Sequence, residues 1–382
     1  MSPLSRRSTL QLSLMSLATV ISGCSVLSRG SEQIDWTTDS MNDDIASPPV
    51  LGDDRVYVAV SEGDVLALDA NSGEVDWQRP WNEFMATPVM SDGRLVSRTR
   101  WGDLVCLDAA TGAVEWKRSM PSAGGTLPPP VVEDGTVYTV TSEDSRAVSL
   151  EDGEIRWQQS FSEAQSADAS DIVANGRPLV SDGVLYQKTG PTDGGEFSAL
   201  DATSGEVLWT ATTDTQEARY SIRYSPAVDS SHVFVGTEGG TLHAFDRDTG
   251  DEAFTIEVDG PTTSPTIADG RLFFGSGPTA APSTLYAVNP ADGSEHWSRS
   301  VYGTQWYANP TVSDGTVYIG HWAGDGPDKP PRVVGFDVAS GAEIGAIPVG
   351  ANVTAKLTVD DEHVYAPAGN RLAAINVTAF RG

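Results

Sequence analysis

The 382-residue sequence is poor in cysteine and lysine and has no long apolar run. Its two cysteines, Cys24 and Cys106, stand in unlike contexts, and no Cys/His spacing suits zinc. A disulfide-built scaffold is thereby excluded. Cys106, inside the strand-like Leu104-Val105-Cys106-Leu107, reads as an inert buried thiol. The only lysines are Lys117, Lys188, Lys329 and Lys356, and 24 basic residues face 53 acidic ones, a formal charge of −29. No basic stripe exists to neutralise phosphates, which argues against nucleic acid as a partner. The acidic residues are spread along the chain rather than gathered in a tail, as on a solvated surface. An Asp-rich, Lys-poor composition is similar to that of salt-in halophiles, so a haloarchaeal source is the expectation. No long stretch of helical period appears past residue 24, and 38 glycines with 23 prolines argue for turns.

The apolar run from Leu10 to Val20 is too short to span a bilayer comfortably. Arg6 and Arg7 precede it, and Ser5-Arg6-Arg7-Ser8-Thr9-Leu10 resembles a twin-arginine export signal, with Thr9 where an aromatic or Leu is more usual. Ile21-Ser22-Gly23-Cys24 resembles a lipobox. The resemblance implies a signal peptide over residues 1–23, lipidation of Cys24, and a tether over 24–31. Residues 32–382 then form a single domain on the outer face of the cell membrane. A plain signal peptide with an incidental Cys24 is the alternative, and unmodified Cys24 in the mature protein would establish it.

What the chain has in abundance is a repeat. Leu200–Trp209 reads LDATSGEVLW, Leu68–Trp77 reads LDANSGEVDW, and Leu107–Trp116 reads LDAATGAVEW. A self-similar unit at a period of tens of residues fixes the architecture before any single residue is interpreted. Asp and Ser/Thr bond nearby backbone N–H groups and Gly accepts a positive φ, so D-x-x-[ST]-G is a tight turn between strands. Burying one Trp, at about 150–250 Å² and about 25 cal/mol/Å², is worth at most about 4–6 kcal/mol, and a lone hairpin cannot bury it. Each copy therefore needs a neighbouring sheet.

Each full copy contains four strand signals: a Pro-led apolar strand and, after an Asp/Gly turn, a V-Y-like strand, a strand ending in L-D and the closing Trp strand. Full copies run from Ser47 to Trp77, Thr87 to Trp116, Pro128 to Trp157, Arg177 to Trp209, Ser225 to Phe254, Ser264 to Trp297, and Asn309 to about Ile344. In the fifth, Phe254 replaces Trp; the seventh has no closing aromatic. An eighth copy starts at Lys356 and stops near Val377, one strand short, while Ile34-Asp35-Trp36-Thr37 offers a closing Trp with nothing before it. Joining the two shuts the ring and removes open edges. The expectation is all-β: an eight-bladed β-propeller of four antiparallel strands per blade, its last blade closed by the N-terminal strand. A seven-bladed ring with a stray segment is the alternative. The repeat residues Trp36, Trp77, Trp116, Trp157, Trp209 and Trp297 are structural in this reading.

The D-A-x-[ST]-G-x-x-x-W unit, with Pro opening the next strand, resembles the pyrroloquinoline quinone (PQQ)-like propeller repeat over about residues 32–377. That family implies either a quinoprotein dehydrogenase or a cofactor-free lipoprotein such as the outer-membrane assembly factor. A PQQ enzyme needs a planar cofactor stacked on an aromatic, Ca²⁺ on carboxylate and amide oxygens, and an Asp base. The vicinal Cys-Cys pair of the alcohol dehydrogenases is missing. The inner strands read PPVL, TPVM, PPVV, RPLV, SPAV, SPTI, NPTV and KLTV, with Asn309 and Lys356 the polar exceptions noted near a channel. No cofactor, no metal and no catalytic residue are expected, with PQQ and Ca²⁺ as the alternative. The assembly role itself does not carry over, because an archaeal halophile has no outer membrane.

A binding surface is expected on the face that carries the insertions, 160–176, 190–195, 211–223, 275–283, 301–308 and 321–331. Its candidate rim is Trp101, Tyr220, Arg223, Trp306, Tyr307, His321 and Trp322, with Trp81 and Phe84 nearby, residue types enriched at recognition hot spots. His321 with Asp325 and Asp328 reads as turn chemistry rather than a metal site. The expected partner is another envelope protein or peptide, with the lipid the only link to the membrane. Of the two N-x-[ST] sequons, Asn352 is favoured over Asn376 for glycosylation, because Asn376 lies in the closing strand.

Overall fold

The computed structural model describes residues 33–381 apart from 40, 42, 62, 81–86, 100, 121–127, 142, 162–175, 189–194, 214–224, 278–282, 302–308 and 322–329. Its strands form eight separate four-stranded antiparallel sheets, each a blade. Seven blades take their strands in sequence order, with blade 2 over residues 89–118, blade 3 over 131–160, blade 5 over 227–257, blade 6 over 266–301 and blade 7 over 311–348. Blade 1 is Val50–Leu51, Arg55–Ala59, Val65–Asp69 and Val75–Arg79, and blade 4 is Leu179–Ser181, Val184–Lys188, Gly195–Asp201 and Val207–Thr213. The eighth joins Thr358–Val359, His363–Ala368 and Arg371–Asn376 to the N-terminal strand Ile34–Thr37. Ile34 pairs with Ile375, Trp36 with Ala374 and Thr37 with Ala373. His363 Nε2 and Asp35 Oδ2, 2.8 Å apart, tie the two ends of the chain together. The eight-bladed reading holds, and the seven-bladed alternative falls.

Two kinds of turn define a blade. The first hairpin carries Asp-Gly in blades 2, 3, 4, 6 and 7. Asp92, Asp134, Asp182, Asp269 and Asp314 have φ of 45–51°, and the glycines after them are also positive. Two left-handed residues in a row match the twist of the flanking strands. The second is the repeat turn. Asp201 Oδ1 accepts from the Thr203 and Ser204 amides at 3.0 and 2.7 Å and from Ser204 Oγ at 2.8 Å. Those bonds hold the Asp201 carboxyl below its usual range. Asp69, Asp246 and Asp337 are lowered in the same way.

The repeat Trp does not pack within its own blade alone. The indole Nε1 of Trp157 donates to the Ala202 carbonyl of blade 4 at 2.8 Å, and that of Trp209 to the Arg247 carbonyl of blade 5 at 2.9 Å. Trp36, Trp77, Trp116 and Trp297 make the same bond to the following blade. Each ring lies flat on the turn glycine of that next blade. Gly205 has φ +76°, and a Cβ there would sit 2.6 Å from the Trp157 ring. Conformation and space both demand glycine here. Gly205→Ala is expected to cost about 1–3 kcal/mol from backbone strain alone, with the ring contact adding to it. A urea midpoint unchanged from wild type would refute this.

The described core is correspondingly divided. Eight clusters of buried residues each join one blade to the next, such as Val96, Cys106 and Trp116 of blade 2 with Val137, Val148 and Leu150 of blade 3. Cys106 is fully buried, and burial foremost, with Glu115 beside it, pushes its thiol up to about 12. It is the inert thiol expected from its strand context.

Blade 7 breaks the aromatic rule and repairs it from elsewhere. Where Trp77 pairs with Ala67 and Trp209 with Ala199, blade 7 pairs Gly345 with Gly335. The ring that fills the gap belongs to Phe380, in a short 3₁₀ helix, Val377–Phe380, after the last strand. Phe380 is fully buried and meets Tyr318 edge-on at 5.1 Å and 78°. In other blades the corresponding second-strand aromatic meets the outer-strand Trp, as Tyr57 meets Trp77 and Tyr186 meets Trp209, both at 6.0 Å. Asn376 caps the 3₁₀ helix through Oδ1 and donates its Nδ2 to Asp35 at 3.1 Å. A glycan on Asn376 would compete with that bond.

Candidate functional site

In an A-B-C-D antiparallel blade the connections alternate between two faces. The two kinds of hairpin turn above share one face. The connections between second and third strands, and from each outer strand to the next blade, share the other. That other face is the variable one: its links include those from Ser160 to Leu179, Thr213 to Ala227, and His321 to Arg332. Most of its candidate rim lies outside the described residues, namely Tyr220, Arg223, Trp306, Tyr307 and Trp322, with Trp81 and Phe84. Trp101 is described and stands out with 61% of its surface exposed. His321 ends the second strand of blade 7 at this same face, pairs with Arg332, and is 5% exposed. Asp325 and Asp328 fall outside the described residues, and among those described no group of three or more His, Cys, Asp or Glu could hold a metal.

The axial channel opens on the same variable face. Its cavity of about 740 Å³ is walled by the starts of the inner strands. One register position, two residues before the inner-strand residue that pairs with the second-strand aromatic or its equivalent, contributes a side chain from every blade. In blade order these are Pro48, Thr87, Pro129, Arg177, Ser225, Ser264, Asn309 and Lys356. No carboxylate lies among the described lining residues, although acidic residues outnumber basic ones 53 to 24 in the chain. Such a wall does not fit Ca²⁺, which takes carboxylate and carbonyl oxygens.

The wall is stitched side to side. The Arg177 amide donates to Ser225 Oγ at 3.0 Å, the Ser225 amide to Ser264 Oγ at 3.1 Å, and the Ser264 amide to Asn309 Oδ1 at 2.9 Å. One layer further in, Thr266, Thr311 and Thr358 donate hydroxyls to the carbonyls of Pro310, Leu357 and Pro49 in the following blade. Arg177 Nε donates back to the Pro130 carbonyl at 3.0 Å. These bonds fix the wall independently of the hydrophobic interfaces. Burial lowers both Arg177 and Lys356 from their usual values, with Arg177's like charge acting on Lys356 as well. Asn309 and Lys356 are legible in the sequence as polar exceptions; Arg177 is hidden in the otherwise apolar RPLV, and its signal is that it occupies the register of Lys356 four copies earlier.

A second charged cluster, with no motif in the sequence to mark it, lies between blades 2 and 3. Asp144, 1% exposed, receives Arg146 Nε and Nη2 as a two-pronged pair, both at 2.7 Å, together with Thr141 Oγ1 and Gln158 Nε2. Arg98, also 1% exposed, donates to Thr139 Oγ1 at 2.8 Å, to the Gly102 carbonyl and to the Val140 carbonyl, while its Nε has no partner. Burial foremost, then Arg146's like charge, pulls Arg98 down to about 9, with Asp144 acting against both. Every polar bond here is turned inward, so the cluster braces the variable face rather than offering groups to a ligand.

Sequence comparison matches residues 25–90, 61–223, 193–278 and 281–379 to the family described as outer membrane protein assembly factor BamB. The assembly factor of Moranella endobia is 24% identical over 297 residues, covering 72% of this chain and 74% of that protein. The crystal structure of BamB from Moraxella catarrhalis superposes with a TM-score of 0.68 at 21% identity, over 90% of this chain and 97% of that one. A quinohemoprotein alcohol dehydrogenase of Pseudomonas putida is 29% identical over 188 residues, 46% of this chain but 25% of the enzyme. The propeller is thus shared with assembly factors and with a much longer enzyme, and fold alone does not choose between them.

Proposed function

This chain belongs to the family of the outer membrane protein assembly factor BamB, and from that membership we propose that it is a non-catalytic scaffold binding a protein or peptide on its variable face. The carrying observation is the contrast between the two faces. One is built from near-identical turns in most blades, while the other holds the divergent connections and the exposed Trp101. Scaffold rigidity comes from the blade interfaces, so loops can vary without loss of the ring. The protein would be exported through the Arg6-Arg7 signal and held at the outer face of the cell membrane by lipid on Cys24.

Crosslinking in the source organism, followed by recovery of the chain, tests this. Trp101→Ala, Trp306→Ala and Trp322→Ala together are expected to reduce the crosslinked partner at least tenfold while leaving the melting temperature within about 2 °C. Full recovery of partner by a folded triple variant would dismiss the rim. The second reading, a PQQ- and Ca²⁺-dependent enzyme, has the dehydrogenase likeness in its favour and the carboxylate-free channel wall against it. Titration with PQQ and Ca²⁺ is expected to give no Ca²⁺-dependent spectral change and no Ca²⁺-dependent thermal protection; a tight, saturable change that requires Ca²⁺ would reverse the ranking.

A further inference from the structure

We propose that the mouth of the axial channel is a binding site for a small molecule bearing a carboxylate or phosphate oxyanion, held between Arg177 and Lys356. Blades 4 and 8 are opposite one another in a ring of eight, so these residues, at one register position, face each other across the axis. The side chains between them on one half of the ring present hydrogens. Ser225 Oγ, Ser264 Oγ and Asn309 Oδ1 each already accept a neighbour's backbone N–H. What remains directed to the cavity is two hydroxyl hydrogens and an amide NH₂. Arg177 spends Nε on Pro130 and keeps both terminal nitrogens, and Lys356 has no ion-pair partner among the described residues. The wall is therefore rich in free donors and cations and has no carboxylate to satisfy them.

Two like charges held in a confined channel repel and are poorly hydrated, so leaving them unpaired costs stability. An oxyanion between them removes both penalties. Its acceptor oxygens complement the ring, and planar carboxylate or tetrahedral phosphate matches an arginine fork. The cavity, about 740 Å³, is of the size that takes a small organic ligand rather than a lone ion. The surface charge of −29 does not forbid this. In about 1 M salt it is screened within about 3 Å, whereas charges inside a pocket are screened much less. The inference does not depend on the rim, and its failure would leave the scaffold reading untouched.

Isothermal titration of the full chain with inorganic phosphate and, separately, with succinate at fixed ionic strength tests the site. Saturable one-to-one binding of either probe is expected, with affinity at least tenfold weaker in Lys356→Gln and in Arg177→Gln and largely kept in Lys356→Arg. Phosphate alone or succinate alone would assign the oxyanion. The unliganded Lys356→Gln protein is expected to melt at or above the wild type, since a buried like charge is gone, and to lose the wild type's stabilisation by the probe. Should either Gln variant fold poorly, the wild type still decides. Binding requires the lysine protonated, and Arg177's like charge acts against that, so the affinity for succinate, already fully ionised above neutrality, must fall with rising pH, starting below the ordinary lysine range. Binding of neither probe, or binding indifferent to both variants and to pH, overturns the proposal.

Discussion

Phe380→Ala is expected to cost about 3–5 kcal/mol of stability, as for other large-to-small changes at buried aromatic sites. The residue lies in a short 3₁₀ helix after the last strand, outside every blade. Here it substitutes for the missing blade-7 tryptophan. Its ring occupies the space over Gly335 and Gly345, packs on Tyr318, and joins the cluster that binds blade 7 to blade 8. Because blades touch mainly their neighbours, a cavity at one interface is not shared out around the ring. The damage should appear first as local opening between blades 7 and 8. Hydrogen exchange is expected to accelerate in Thr316–His321 and His363–Ala368 before the far side of the ring. Denaturant midpoints give the magnitude. A loss below about 1 kcal/mol would mean the C-terminal segment merely rests on the blade. Gly345→Trp with the C-terminal segment in place is not expected to be tolerated, because a Cβ at Gly345 would lie 2.8 Å from the Phe380 Cα.

Asp144→Ala should be comparably damaging, at about 3–5 kcal/mol, for an electrostatic reason. Among the described residues, the carboxylate is the one anion of a buried group that also holds Arg146 and, nearby, Arg98. Removing it leaves two cations facing one another away from water. Arg98→Met should be far milder, because it deletes a buried charge along with its unpartnered Nε. A double variant, Asp144→Ala with Arg98→Met, is then expected to recover part of the single-variant loss. Strict additivity of the two costs in denaturant titrations would show that they do not communicate. The turn carboxylates act in the opposite sense to Arg98. Asp201 and its equivalents have lowered folded-state values, so their contribution is present above the unfolded carboxyl range and is lost as pH falls through the folded one. Relief of repulsion among 53 acidic residues opposes that loss.

Most of the architecture could be read from residue order because it is local. The D-x-x-[ST]-G turn needs only Asp201, Ser204 and Gly205, and the Asp-Gly hairpins need only two residues each. Counting copies and noticing the orphan Trp36 strand gave the blade number and the closure. The interblade role of the repeat Trp was also legible, since one hairpin cannot hide such a ring. His321 was less so. It sits at a strand end followed by a long link, and its burial is decided by tertiary packing.

Sequence alone determined the turns, the strands, the repeat and its family, since each depends on contacts within about thirty residues or on identity to another copy. Tertiary structure decided what lies between copies. It placed Phe380 in blade 7, gathered Arg98, Arg146 and Asp144 at one interface, and set Arg177 opposite Lys356. These neighbours are chosen by closure of the ring, which brings together side chains at unrelated sequence separations, and burial then fixes their energetics. Periodicity carries no record of either.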